Sequence, residues 1–529
     1  MNDRLRPAPP AYVWDRARAL VHEDRSKVLV LRARPRWSGP AEKDVDGRRV
    51  LVRPVASHLA ALDALAERGP DDFLVLLTDL SPEDLGDAVL VRTQRAQVDL
   101  VDEWSAVPGL FGAHTTDVEL RRQPAWVPAA LLEFQPAEGW PVARSGILTA
   151  DHALGNLLGA LLGVPLPFEP DLLTLLDVLD RPEVRTAWCG TREELRSDLT
   201  RWFARSRGEA LGMALDAAAR SPLSQGGVSV VALGLALDVL WPEGPAPEEP
   251  EQVLARGRIE ARISGTPVRA EAARTFAATA RTLLLRMDAL GDPASSGICQ
   301  QAEALLADIG WTNGAERSLL LPAGLSARLR ALAAALDCDT SASLLARMPQ
   351  VEGALKDVLQ HHFARPGDSR VEAARMAVRL ARWISSQEAA AEPDPDHLGA
   401  SLTGYLDDGA WVDRAVSVVW DGSTDPVVSA AYRRVIDAAL ALRRSQDLRA
   451  AAQLAGATAR DEALAGAVKI EEALGTLVAP IATAVRPLVI LLDGMSAPVA
   501  AEIAEGVTAE GWLEVVPEAR GRRQALLAA

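Results

Sequence analysis

Apolar positions along the chain change their spacing twice. Up to about residue 135 they come in short unbroken runs: Val28-Leu29-Val30-Leu31, Val50-Leu51-Val52 and Phe73-Leu74-Val75-Leu76-Leu77. Runs this short, bounded by turn signals, predict strands buried on both faces of a largely parallel sheet. Asp46-Gly47 marks the turn before the second run, and Thr78-Asp79 closes the third. Ser57 is placed to cap a helix over 58–67, which Gly69-Pro70 ends. A helix over 12–21 precedes the first strand. A long helix is predicted after Ser81-Pro82, with Glu83 and Asp84 in its first turn. Strand, strand, helix, strand, helix predicts a small α/β domain over residues 1–135.

From about residue 139 a spacing of three and four takes over. Leu154, Leu157, Leu158, Leu161 and Leu162 paint one helical face behind a cap at Thr149. Leu172, Leu175, Leu176 and Leu179 repeat it, and Thr191 with Glu194 forms a candidate capping box ahead of Leu195, Leu199, Trp202 and Phe203. This predicts a helical domain over 136–245. It ends in a linker at 241–250 with four prolines and three glutamates. Residues 246–390 predict a helical bundle, with helices over 268–290, 297–308, 323–337, 351–363 and 370–390. A second Pro/Asp linker at 391–396 opens a helical region over 391–485, with helices at 397–407, 409–420, 425–443, 446–456 and 459–478. The last of these carries Leu464, Ala467, Ile470, Leu474 and Leu477 as a stripe.

The pattern then returns to unbroken runs. Residues 488–492 are five apolar residues between Pro487 and Asp493-Gly494. A helix is predicted over 497–510 and a second strand over 512–516, the opening of an α/β sheet over 486–529. Asp493 falls at the carboxyl end of the first run, where open α/β sheets place their sites. A lone strand–helix–strand leaves sheet edges unpaired, so this segment is expected either to dock on the rest of the chain or to be poorly ordered. The fold class predicted is multidomain and mostly α: an N-terminal α/β domain, a long helical middle and the start of a C-terminal α/β sheet.

Composition narrows the function classes. The 529 residues carry a net charge of −16, which argues against a broad phosphate-binding face. Basic clusters at 32–36 and 520–523 read as solvated charge. Cys189, Cys299 and Cys338 are too far apart for a zinc ribbon or a disulfide framework and read as small buried residues. The first ten residues are polar and Pro-rich with no apolar core, and apolar stretches fall short of a membrane span, so a cytoplasmic protein is expected. Asp79 resembles Asp493 in position, but no Gly-rich phosphate loop accompanies it, so it reads as a turn residue. His361-His362 are adjacent, about 100° apart on a helix, and cannot chelate one ion together. His22, His58, His114, His152 and His397 stand alone.

Val489-Ile490-Leu491-Leu492-Asp493-Gly494-Met495-Ser496, then a helix, then Glu510-Gly511-Trp512-Leu513-Glu514-Val515-Val516-Pro517, resembles the first strand and helix of the PglZ domain. PglZ proteins belong to the alkaline phosphatase superfamily and to bacterial phage-defence systems (BREX type 2, phage growth limitation). The resemblance implies that Asp493 is a metal ligand, with zinc or another divalent metal as cofactor in the full-length family. It implies that the nucleophile and later ligands lie further on, so that the chain is an N-terminal portion ending just inside that domain. It also implies an adenine methyltransferase, an AAA-type ATPase and a kinase as partners. The residues themselves point the same way. A catalytic zinc needs about three protein ligands. After Asp493 the chain offers Glu502, Glu505, Glu510, Glu514 and Glu518, with no His or Cys. An Asp-Gly after a strand is also ordinary turn chemistry. The expectation is therefore a defence-system scaffold that is not itself catalytic and has no assignable catalytic residue. The alternatives are an active metal-dependent phosphohydrolase and a helical regulatory or nucleic-acid adaptor.

Overall fold

In the computed structural model the described residues are 5, 8, 10–23, 26–167, 169–220, 227–244, 249–263, 265–338, 340–389, 397–460, 467–513 and 525–527. The chain divides into two compact units: residues 1–248 with 256–298, and residues 249–255 with 299–529. The mostly α, multidomain character and the small N-terminal sheet are as expected.

The first unit opens with α1 (Pro10–Glu23), β1 (Val28–Arg32), β2 (Glu42–Val45), β3 (Arg48–Pro54), α2 (His58–Glu67), β4 (Phe73–Thr78), α3 (Pro82–Leu85), α4 (Asp87–Leu90) and β5 (Asp99–Leu100). The sheet order is β2-β3-β4-β1-β5. β1 runs parallel to β4 with Val30 opposite Leu76, and β3 runs parallel to β4 with Val52 opposite Val75. Strand side chains alternate between faces. Leu29, Leu31, Val50, Val52, Phe73, Val75 and Leu77 therefore pack with Tyr12, Val13, Ala17 and Leu20 of α1. Val28, Val30, Leu51, Leu74 and Leu76 pack on the other face with Ala61 and Ala64 of α2. Ser57 caps α2, accepting from Ala60 N at 3.2 Å.

Two strands of this sheet escaped the sequence reading. β2 is the charged run Glu-Lys-Asp-Val, mostly exposed and paired antiparallel to β3 at the sheet edge, where apolar patterning is not required. β5 is only two residues long. Asp46 (φ 51°) and Gly47 (φ 79°) form the two-residue left-handed turn that a tight hairpin needs. The long helix expected after Ser81-Pro82 is two four-residue helices, broken where Gly86 takes φ 75°.

Apart from a short parallel pair, Thr115–Thr116 with Ile147–Leu148, the regular structure in the rest of the first unit is helical among the described residues. Helix Ala150–Leu162 buries the expected leucine face and starts at the Thr149 cap, which accepts from His152 N at 3.2 Å. Helix Leu172–Leu179 follows the pattern as well. The capping box at Thr191 does not form. Helix Glu193–Arg207 starts one residue later without a side-chain cap, and Thr191 Oγ1 instead donates to Ala187 O at 3.0 Å. Leu195, Leu199, Trp202 and Phe203 are buried as expected. Helix Val230–Leu240 is apolar nearly all round and nearly all buried, as a central helix must be. It packs on helix Ala270–Ala289 so closely that a Cβ on Gly234 would lie 2.4 Å from Ala280 Cβ. Of the 241–250 linker, residues 245–248 lie outside the described residues.

The second unit is a bundle of helices Pro322–Leu336, Ser341–Leu359, Ser369–Ala389, Ala410–Trp420 and Pro426–Ala459 around one core. Ser341–Leu359 begins ten residues before the expected start, because Thr340 and Ser343 form a capping box and the helix accommodates Pro349. The breaks expected near 444 and 457 are absent: Pro426–Ala459 is one helix of 34 residues. The linker at 391–396 lies outside the described residues.

The end of the chain departs most from expectation. The helix expected over 459–478 is not continuous. Residues 461–466, with Leu464, lie outside the described residues, and Ala467–Lys469 pairs parallel with Ala525–Leu527. Short turns at Ile470–Glu472 and Leu474–Val478 follow. Ile470 and Leu474 are exposed rather than packed. Residues 488–492 form no strand. They carry no regular secondary structure and are exposed; no described segment pairs with them, and a parallel strand requires neighbours. The helix at Ala497–Ala509 is present. The second strand expected at 512–516 is not seen at Trp512 and Leu513, and residues 514–516 lie outside the described residues.

Candidate functional site

Asp493 lies in the turn between the irregular 486–492 segment and helix Ala497–Ala509, and it is exposed. Gly494 takes φ 72° there, a left-handed conformation that glycine enters without a side-chain clash. Asp493-Gly494 thus redirects the chain from the apolar run into the helix. The carboxylates that follow point elsewhere. Glu502 and Glu505 both engage Arg414 of helix Ala410–Trp420, at 2.7 and 3.3 Å, and Pro498 is buried. This pairing docks the C-terminal helix on its own unit. Glu510 is at the helix end, while Glu514 and Glu518 lie outside the described residues.

Among the described residues no three His, Cys, Asp or Glu side chains gather to hold a metal. One exposed carboxylate does not make up the three protein ligands of a catalytic zinc. The described donor set around Asp493 therefore does not fit a metal by itself.

The exposed side chains along this stretch are largely apolar. Leu488, Ile490, Leu491, Trp512 and Leu513 are 85, 71, 85, 69 and 88% exposed. Val499, Ile503 and Val507, one turn apart on the C-terminal helix, are also exposed. The sequence reading took the 488–492 run as doubly buried. Its apolar character was legible, but its exposure was not.

The other singled-out residues have structural roles. Asp79 is half-buried in the turn after β4, where Thr78 Oγ1 accepts from Leu80 N at 3.2 Å. His361 is buried. Its Nδ1 accepts from Phe363 N at 3.2 Å, which leaves Nε2 to donate to Leu321 O at 3.0 Å. Burial pushes its pKa down to about 4. His362 is also lowered by burial and contacts Arg365 at 3.2 Å, so the two histidines share no ligand geometry. His397 caps a helix, accepting from Ala400 N at 3.1 Å, and His58 Nδ1 lies 2.5 Å from Leu85 O. All three cysteines are free, and burial pushes the Cys299 thiol up to about 11. The basic cluster at 520–523 lies outside the described residues.

Sequence reading missed the ionic knot of the first unit. Arg185 is buried and pairs with Asp180 at 2.6 Å. Asp180 also accepts from Val230 N at 2.7 Å, from Val231 N at 3.3 Å and from the Ser229 hydroxyl. A carboxylate from one helix end thus caps the central helix. Ser229 before an apolar run was a legible cap signal, whereas Asp180, 49 residues earlier, was not.

Among the described residues no helix is long and apolar enough to cross a membrane. No curated protein and no solved structure matches the chain. Two family models do. The BREX system PglZ N-terminal domain matches residues 12–102, which span the sheet module from α1 to β5. The BREX system PglZ second domain matches residues 171–320, which begin at the cap of helix Leu172–Leu179. With its sheet module and the helices after it matching the first and second PglZ domains in order, the chain belongs to the PglZ family of BREX phage-defence components.

Proposed function

We propose that this chain is the protein-interaction scaffold of its BREX system, working in the cytoplasm, and that it is not itself catalytic. The observation that carries the reading is the exposed apolar run at 488–492. A run of apolar side chains more than half exposed marks a face that another surface covers. By family resemblance the partners are an adenine methyltransferase, an AAA-type ATPase and a kinase. The test is co-purification of the tagged chain with each of the three. Stable retention of at least one is expected, and retention of none overturns the scaffold.

A second reading is favoured by the position of Asp493 between an apolar run and a helix. There it would be one ligand of a divalent metal, zinc in the first instance, completed by groups outside the described residues. Turnover of an aryl phosphate by this chain with zinc, lost in Asp493→Ala, is the result that would establish this reading in place of the first.

A further inference from the structure

The N-terminal module carries a cleft that neither the family match nor the scaffold reading uses. It is open to solvent, has a volume of about 890 Å³ and lies at the amino ends of the parallel strands. Three connections build it: the one from α1 into β1, the end of α2, and the segment 91–95 that leads towards β5. Open α/β sheets place their usual ligands at the opposite, carboxyl edge. Val28, Leu62, Leu65 and Val91 supply apolar lining. Lys27, Arg68, Arg92 and Arg95 supply four cations against one carboxylate, Glu23. In a chain of net charge −16 this is a local reversal of sign.

Part of that charge has a structural duty. α1 and α2 both end at the cleft, and helix carboxyl ends carry negative potential. Lys27 donates to Pro70 O at 2.8 Å and to Asp71 at 3.2 Å. Arg68, the residue after α2, donates to Asp72 O at 2.7 Å, and its Nε is buried without an acceptor. Arg92 and Arg95 come from the third connection. Arg92 is exposed and reaches only Ala88 O, at 3.4 Å, while Arg95 lies 3.9 Å from Glu23. Among the described residues neither Arg68 nor Arg92 is paired to a carboxylate. Arg95 and Ala96 both take left-handed backbone, φ 57° and 51°, which non-glycine residues rarely adopt.

We propose that this cleft binds a phosphorylated ligand of nucleotide size. Its phosphate would sit on Arg92 and Arg68, and its flat or apolar body over Leu62, Leu65 and Val91. Guanidinium groups favour phosphate through paired charge-assisted hydrogen bonds. The volume is in the range of small-ligand sites; the accessible lining is mainly polar, and Leu62, Leu65 and Val91 give a base an apolar edge to lie on. The inference does not rest on the scaffold reading.

The test is calorimetric titration of the full chain with AMP, ATP, adenosine and inorganic phosphate, without divalent metal and at physiological salt. Saturable binding of AMP or ATP is expected. Arg92→Ala should weaken it at least tenfold, as should Val91→Asp; both side chains are exposed, so neither change threatens the fold. Arg433→Ala, in the other unit, should leave it unchanged. Absence of saturable nucleotide binding overturns the proposal. So does inorganic phosphate binding as tightly as AMP, or a single-stranded oligonucleotide binding more tightly than either nucleotide with the same Arg92 dependence.

Discussion

At the scale of single residues, half-buried Asp180 and buried His361 do more for the fold than any candidate catalytic group. Asp180 is the counter-charge of buried Arg185 and the cap of helix Val230–Leu240. Removing it leaves a buried guanidinium without its carboxylate, which costs roughly 3–5 kcal/mol. Asp180→Ala should therefore lower stability by that order in urea unfolding of the full chain. His361 acts through protonation. In the folded chain it stays neutral down to about pH 4, whereas its ordinary value is 6.5. Below that value the unfolded chain takes up the proton and the folded chain does not. The stability is complete above about pH 6.5 and is lost as pH falls towards 4. The loss is on the order of 2–3 kcal/mol. Unfolding at pH 7 and pH 4.5 checks it: His361→Gln, which has no titrating ring, should lose less stability between the two than the parent chain.

At the scale of elements, the sequence was most legible where an element is buried on a regular period. β1, β3, β4, α2 and the leucine face of Ala150–Leu162 all formed close to the residues that predicted them. It was least legible where an element exists because of a neighbour. β2 is charged and holds only by pairing with β3, and β5 is two residues long. The reverse error has the same cause. Residues 488–492 carry a strand's pattern, but no described segment pairs with them. Period alone states what a segment can bury, not what is present to bury it against. The close approach at Gly234 belongs to this scale. Gly234→Val would push into Ala280 and Phe276, and overpacking of this kind costs about 1–3 kcal/mol. A fall in thermal midpoint, with far-ultraviolet helix signal retained below the transition, is the expected outcome. The C-terminal helix is docked through Arg414 to Glu502 and Glu505. Ion pairs on a surface are worth little individually. Arg414→Ala should raise hydrogen exchange within 497–509 and leave the main thermal transition in place.

At the scale of the whole molecule, the two matched domains place the chain in the PglZ family, and candidate chemistry was legible only as far as one carboxylate. Asp493 could be singled out because a turn residue after an apolar run has a recognisable context. Its partners could not be found by spacing, and the described residues bring none to it. What the chain presents instead is surface: a net negative charge, which favours solubility, and, among the described residues, an unbroken run of exposed apolar side chains at 488–492. The measurement that tests this most directly is retention of the methyltransferase, ATPase or kinase by the tagged chain, set beside the same chain carrying Leu488→Asp and Leu491→Asp. Both side chains are exposed, so the double substitution leaves the fold intact. The scaffold account predicts that a partner is retained by the parent chain and lost from the variant. Equal retention by both chains, or retention by neither, would contradict it.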